Sequence, residues 1–391
     1  MCAAEAARNI ECNPRHGAEA CQAARRAPLR ARFVAVRPLA IDAILTPNCS
    51  PNGVANRQAR HATRLLRTMT DSTDTTSSFP WARFIKEIGR GPNGARALTA
   101  DDTRSLYTAM LDGRVDDLEL GAVLLAYRVK GETADELAAM LAAAHTSFEP
   151  VRLPHGAFRP VSIPSYNGAR KQPNLVPLLA LLLAREGVPV LVHGVTEDLG
   201  RVTSAEIFTH LRIAHAQSHA QIEAGLAERR VAFASIDVLA PKLARLLALR
   251  RRMGVRNSTH TLVKLLQPFA PAGLRLVNYT HPPYRDSLTQ LFVTHPDAAV
   301  GGALLARGTE GEAVADTRRQ VQVDWLHDGI CETRLPHERS SPDAPEVELP
   351  EARDAATTAA WIDAVLRGEA PVPGALERQV ELIVDIAKTA A

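Results

Sequence analysis

From Phe158 onward the chain alternates between two kinds of segment. Short β-prone runs stand at 159–165 (RPVSIPS), 188–194 (VPVLVHG), 231–237 (VAFASID), 274–280 (LRLVNYT), 298–308 (AAVGGALLARG) and 319–326 (RQVQVDWL), and helical runs lie between several of them. Alternation of this kind predicts an α/β body with a mostly parallel sheet covered by helices. A charged, proline-rich loop is expected over 336–354, followed by closing helices at 357–366 and 376–390.

The segment before the sheet reads differently. From Phe79 to about His145 helices begin at legible N-caps: Thr99 with Asp102, Asp116 with Glu119, and Thr133 with Glu136. Each pairs a capping side chain with an acid three residues on, ahead of an apolar periodic run. Gly113 and Gly131 stand where preceding helices should stop. The expected organisation is a small all-helical domain at 69–150 and a larger α/β domain at 151–391, with closing helices in 354–391.

Residues 1–68 lack sustained periodicity and hold 11 Arg, no Lys and 4 acids, leaving 35 bases against 39 acids in the remainder. With Met69 ahead of a short polar tail, 1–68 is read as a disordered or upstream-translated extension; the alternative is an Arg-rich targeting peptide. Four of the five cysteines lie there, without metal-ligand spacing, and Cys331 stands alone in the body. Leu175–Ala184, the longest apolar stretch, is half a membrane span and contains Pro177. A cytoplasmic protein without membrane contact is expected.

Two features carry chemistry. The first is Tyr166-Asn167-Gly168-Ala169-Arg170-Lys171-Gln172-Pro173-Asn174, between a strand and an apolar helix. This layout holds phosphates at helix N-termini, yet it has one glycine, and Arg170 and Lys171 stand where the helix dipole disfavours cations unless an anion shares the site. The alternative is that both point into solvent. The second is a basic run without acids from Pro241 onward: Lys242, Arg245, Arg250, Arg251, Arg252, Arg256 and Lys264. On one helix, 245, 252 and 256 fall on nearly one face. Such a surface meets a sugar-phosphate backbone without reading sequence, although many charge runs are solvated helix faces. Arg318 and Arg319 either extend the patch or pair with Glu310, Glu312 or Asp316. Aromatic residues are scarce at 4%. Tyr166, Tyr279 and Tyr284 are the loop candidates for base stacking. His210, His215 and His219 approach one helix face but lack a metal-site glutamate, and no nucleophile elbow is present.

With "LTADDTRSLYTAMLDGRVDDLELGAVLLAYRVKGETADELAAML" (98–141), the loop at 166–174, "LVHG" (191–194), "MGVRN" (253–257) and "THP" (280–282) in order, the chain resembles the anthranilate phosphoribosyltransferase and nucleoside phosphorylase superfamily. The resemblance runs from about Phe79 to the C-terminus. It implies a helical domain, an α/β domain, a ligand cleft between them that includes Asn167, Gly168, His193 and Gly194, and a homodimer formed through the helical domain. The enzymes hold diphosphate on a glycine-rich loop, where Tyr166–Lys171 stand here, and Mg²⁺ on an adjacent Asp-Glu pair, where Glu310 and Glu312 stand apart. A Cβ at each former glycine penalises positive φ and close approach, and octahedral Mg²⁺ tolerates little displacement of its carboxylates.

Together with "GTEGE" and "VRNSTHTLVKL", these departures resemble the YbiB-like branch, which implies sequence-independent nucleic-acid binding by a dimer. The leading expectation is thus a DNA- or other nucleic-acid-binding homodimer that needs no cofactor. The alternative is a pentosyltransferase or phosphorylase with Mg²⁺, using the same cleft.

Overall fold

The computed structural model describes residues 79–91, 93–338 and 347–388. The expected extension 1–68 and the start at Met69 lie outside the described residues. Four helices come first: α1 (Trp81–Ile88), α2 (Ala100–Leu111), α3 (Asp117–Lys130) and α4 (Ala134–His145). Thr99 caps α2 by accepting from Asp102 N, and Thr133 and Glu136 form the full reciprocal box at α4. Asp116 is the N-cap of α3, but its side chain makes no capping bond. The turn from α3 into α4 is locked by Glu136, which is fully buried. It accepts from Leu98 N, Thr133 N and Lys130 Nζ, the last at 2.6 Å. Gly131, at φ +79°, lets α3 stop there.

The rest runs β1 (Val161–Ser165), α5 (Val176–Arg185), β2 (Val190–Gly194), α6 (Ser204–His210), β3 (His215–Ala216), α7 (His219–Arg229), β4 (Val231–Ser235), α8 (Ile236–Leu239), α9 (Pro241–Ala248), α10 (Arg250–Met253), α11 (Thr259–Leu262), β5 (Leu274–Tyr279), α12 (Pro282–Thr294), a 3₁₀ turn (Pro296–Ala299), β6 (Ala303–Arg307), β7 (Val323–His327), β8 (Ile330–Leu335), α13 (Ala355–Leu366) and α14 (Gly374–Ala387). Among the described residues the strands form one sheet in the order β3-β4-β2-β1-β5-β6-β7-β8. The first five pairings are parallel, and β6-β7 and β7-β8 are antiparallel. The fold is therefore a helical bundle plus an α/β body with a mostly parallel sheet, as the alternation predicts.

Burial explains the pattern. β1 and β2 are buried along their whole length, and the polar residues they carry, Ser162, Ser165 and His193, are buried with the apolar ones. Leu178, Leu182 and Leu183 of α5 pack with Ile362 of α13 and Ile383 of α14 on one face. On the other face the helical bundle joins α9, α11 and α12 in a single apolar cluster that includes Tyr107, Leu124, Leu243 and Leu291. Tyr107 and Thr259 link bundle and body through hydroxyls 3.0 Å apart.

Two expectations change, and two strands are added. The 298–308 run divides into a 3₁₀ turn and β6, because Gly301 and Gly302 both take positive φ and interrupt the strand. The exposed edge strand β8 and the two-residue β3 have no clear sequence pattern. His210, His215 and His219 share no helix: α6 ends at His210, His215 is in β3, and His219 opens α7.

Candidate functional site

The loop after β1 is anchored from below. The Tyr166 hydroxyl lies 2.8 Å from His193 Nδ1, and His193 Nε2 lies 3.0 Å from Ser162 Oγ. His193 is 1% exposed with both ring nitrogens engaged, and burial pulls its pKa down to about 3. It supports the loop from the core and does not line a ligand cleft, contrary to the expectation. Gly194 serves strand packing: a Cβ there would sit 1.7 Å from Ser165 O. Gly168, at φ +64°, has Val202 O 2.8 Å from where its Cβ would be, beside the Ala169–Val202 bridge.

The loop amides are not open. Glu312 Oε1 accepts from Asn167 N and Gly168 N, both at 2.7 Å. Glu310 Oε1 accepts from Lys171 N at 2.7 Å, Gln172 N at 3.1 Å and Arg170 N at 3.3 Å. Asn167 Nδ2 donates to Gly311 O at 2.9 Å. Arg170 and Lys171 do not sit on the helix terminus either. Residues 172–175 separate them from α5, whose first amide, Val176 N, is taken by Asn174 Oδ1. The anion that meets the amides of Arg170 and Lys171 is thus the protein's own carboxylate, and both residues are exposed.

The Mg²⁺ pair implied by the superfamily does not fit this geometry. Glu310 Oε1 already holds three N–H donors, and Oε2 lies 3.3 Å from Arg170 N and 3.8 Å from Arg201 Nη1. Glu312 Oε1 holds two donors, while Oε2 is buried without a partner. Among the described residues no cluster of three or more His, Cys, Asp or Glu could hold a metal ion.

The basic segment is broken in two. α10 ends at Gly254, φ +71°, so Arg256 lies beyond the helix and not on a shared face with Arg245 and Arg252. The segment's missing acids are supplied by other parts of the chain. Lys242 pairs with Asp112 at 2.8 Å, Arg251 with Glu197 at 2.8 Å, Arg252 with Asp117 at 3.0 Å and Arg250 with Asp198 at 3.9 Å. The Arg251 and Arg252 side chains are 73% and 69% exposed. Ion pairs this exposed contribute about 0–1 kcal/mol and exchange readily for another anion. Arg245 instead donates to the carbonyls of Met110 and Leu111. Arg318 and Arg319 both pair with Asp316, not with either glutamate.

Arg256 and Lys264 turn toward the loop. Arg256 Nη2 donates to Asn167 Oδ1 at 3.2 Å, and Lys264 Nζ donates to Gly311 O at 3.1 Å. Burial, opposed in part by Glu312, pulls the Lys264 pKa down to about 8. Burial first, then the nearby Arg250, Arg201 and Arg128, lowers that of Arg256. Above them opens a cleft of about 760 Å³ that also reaches Arg128, Arg250, Arg251, His260 and Tyr284. His260 is pulled down to about 4 by burial and by Arg256, and its Nε2 is buried without a partner. Tyr284 is 46% exposed at the rim, whereas Tyr166 is buried. Arg128 and Arg201 are site residues that no sequence pattern singles out. Each is a single arginine in an ordinary local context. Only the fold brings Arg128 to the cleft, and Arg201 to the loop, where it donates to Gly168 O at 3.1 Å.

Residues 82–147 match the family described as "Glycosyl transferase family, helical bundle domain". The chain is 44% identical over 303 residues to "Uncharacterized protein YbiB" of Escherichia coli K12, covering 77% of this chain and 92% of that protein. It is 31% identical over 189 residues to "Anthranilate phosphoribosyltransferase 2" of Ralstonia nicotianae, covering 48% and 53% of the two chains. Two solved structures share the fold. Anthranilate phosphoribosyltransferase from Thermus thermophilus superposes with a TM-score of 0.59 at 21% identity, over 78% of this chain and 87% of that one. The Saccharomyces cerevisiae enzyme in complex with PRPP and Mg superposes with a TM-score of 0.60 at 12% identity, over 79% and 92%.

Proposed function

Because the chain belongs to the YbiB family, on the anthranilate phosphoribosyltransferase fold, we propose that it binds nucleic acid without sequence preference, as a cytoplasmic homodimer. The observation that carries this reading is the pair Arg250 and Arg251 at the cleft, with Arg252 next in the chain, all three held only by exposed or long ion pairs. Phosphates along a backbone can displace such carboxylates, and each neutralised phosphate releases counterions. Exposed Arg170 and Lys171 extend the cationic surface. Arg256 and Lys264 line the cleft and hold the loop beside it, whereas Arg245 is engaged with the helical bundle. No helix among the described residues is long and apolar enough to cross a membrane.

The test is fluorescence anisotropy with unrelated duplexes across a salt series. Equal Kd for different sequences and a log Kd that rises linearly with log salt are expected. Absence of binding, or a Kd indifferent to salt, removes the reading.

A second reading, a pentosyltransferase, is favoured by the cleft itself, which is large enough for a small ligand and contains two buried, unpartnered polar atoms, His260 Nε2 and Asn278 Nδ2. Turnover of ribosyl diphosphate with Mg²⁺ and a base would establish it.

A further inference from the structure

Five backbone N–H groups within Asn167–Gln172 converge on two carboxylate oxygens, both from one tight turn. Clustered amides of this kind are an anion site. Here the anion is built in. Thr309 and Glu312 close the turn by exchanging two backbone hydrogen bonds, and Glu310 and Gly311 take φ +52° and +89° between them. A left-handed glutamate is uncommon and costs about 1–2 kcal/mol relative to the ordinary helical conformation. Both carboxylates of the turn reach the same loop. The turn docks closely: a Cβ on Gly311 would stand 1.8 Å from Asn167 Nδ2. Glu312 is 1% exposed and the Glu310 side chain 11%, so neither is a casual surface contact.

We propose that the Thr309–Glu312 turn is an internal competitor that closes the amide loop to phosphate- and diphosphate-bearing small molecules, and that removing the Glu310 carboxylate opens an anion site made of the amides of 170–172 and Arg201. The argument is one of shared donors. An incoming phosphate oxygen needs the N–H groups that Glu310 Oε1 holds, and a carboxylate tethered a few ångströms away has the advantage of high effective concentration. With the carboxylate gone, these amides have no partner in the chain, and Arg201 Nη1, 3.8 Å from Glu310 Oε2, is left beside them. The inference does not depend on whether the exposed arginines meet a polynucleotide.

The experiment is calorimetric titration and thermal melting of the full chain with inorganic pyrophosphate, with and without Mg²⁺. The wild-type protein is expected to give no saturable heat and no rise in Tm at millimolar pyrophosphate, and Mg²⁺ is expected to add nothing. Glu310→Ala is expected to bind at least about tenfold more tightly than wild type, the scale of one charge-assisted hydrogen bond. Glu310→Gln keeps an acceptor oxygen in place and is expected to fall between the two. Wild-type binding as tight as that of either variant overturns the proposal. So does the absence of pyrophosphate binding in a folded Glu310→Ala or Glu310→Gln protein. If neither variant folds, pyrophosphate titration of Arg250→Ala/Arg251→Ala/Arg252→Ala decides: saturable binding that survives the loss of the exposed arginines overturns the proposal, and its absence is what the closed loop requires.

Discussion

Arg245 Nη2 donates to Leu111 O at 2.8 Å and to Met110 O at 2.9 Å. One guanidinium from the basic segment thus satisfies the last carbonyls of α2, where positive charge also complements the helix dipole. Arg245→Ala is expected to lower stability by about 1.5–3 kcal/mol, the range for hydrogen bonds to a charged group. Polynucleotide affinity of the folded variant should stay within about twofold of wild type. Urea unfolding and anisotropy on the same preparation check both parts.

The neighbouring residues are expected to behave in the opposite way. Arg250→Ala/Arg251→Ala/Arg252→Ala should leave the unfolding midpoint nearly unchanged, because exposed pairs contribute little. Its salt dependence should flatten by about 0.9 in slope for each phosphate that is no longer neutralised, with a Kd at low salt weakened about tenfold or more. A salt titration on one duplex separates this from a general loss of folding.

Acid should destabilise the protein through buried imidazoles. Burial pulls His193 down to about 3, and His145 and His260 to about 4. An unfolded histidine titrates near about 6.5. Since the folded pKa lies below the unfolded one, the unfolded chain takes up protons first as pH falls. Stability is intact above about pH 6.5 and declines toward pH 4, by up to about 1.4 kcal/mol per pH unit for each histidine. Glu312, whose carboxyl burial pushes up, works in the opposite sense just above its ordinary range. Unfolding free energies at pH 7.5, 6 and 5 should fall in sequence, and His193→Gln should make the decline shallower.

The homodimer is expected to form through α3. Leu118, Leu125 and Val129 are 81%, 50% and 63% exposed, at helical spacing along one face. Burying each would contribute about 1.5–3 kcal/mol. Leu125→Glu/Val129→Glu should sediment as a monomer with an unchanged circular dichroism spectrum, while wild type sediments as a dimer.

What the sequence reveals and what it conceals divide along range of interaction. Thr99 and Thr133 cap as their spacing says, because a capping box is complete within four residues. The buried strands β1, β2, β4 and β5 are legible because each is a short run rich in Val, Leu, Ile or Phe between helical segments. The acid-free appearance of Lys242–Lys264 is misleading, since Glu197, Asp112 and Asp117 arrive from 54, 130 and 135 positions away. Glu310 and Glu312 read as remnants of a metal pair because a carboxylate has the same letter whichever partner it finds. Their docking onto 167–172 spans 138–145 positions. Family resemblance supplies the frame and cannot supply this closure, which lies where the chain departs from the enzymes.

A turn whose donors are met from inside keeps its shape in the absence of any guest. The stretch from Ala169 to Lys171 therefore need not remain glycine for chemistry to proceed, and its side chains are available to diversify while the main-chain path stays put. In that sense the two glutamates act as a permanent casting of the missing ligand, and the surface over it can acquire new uses without the fold having to be rebuilt.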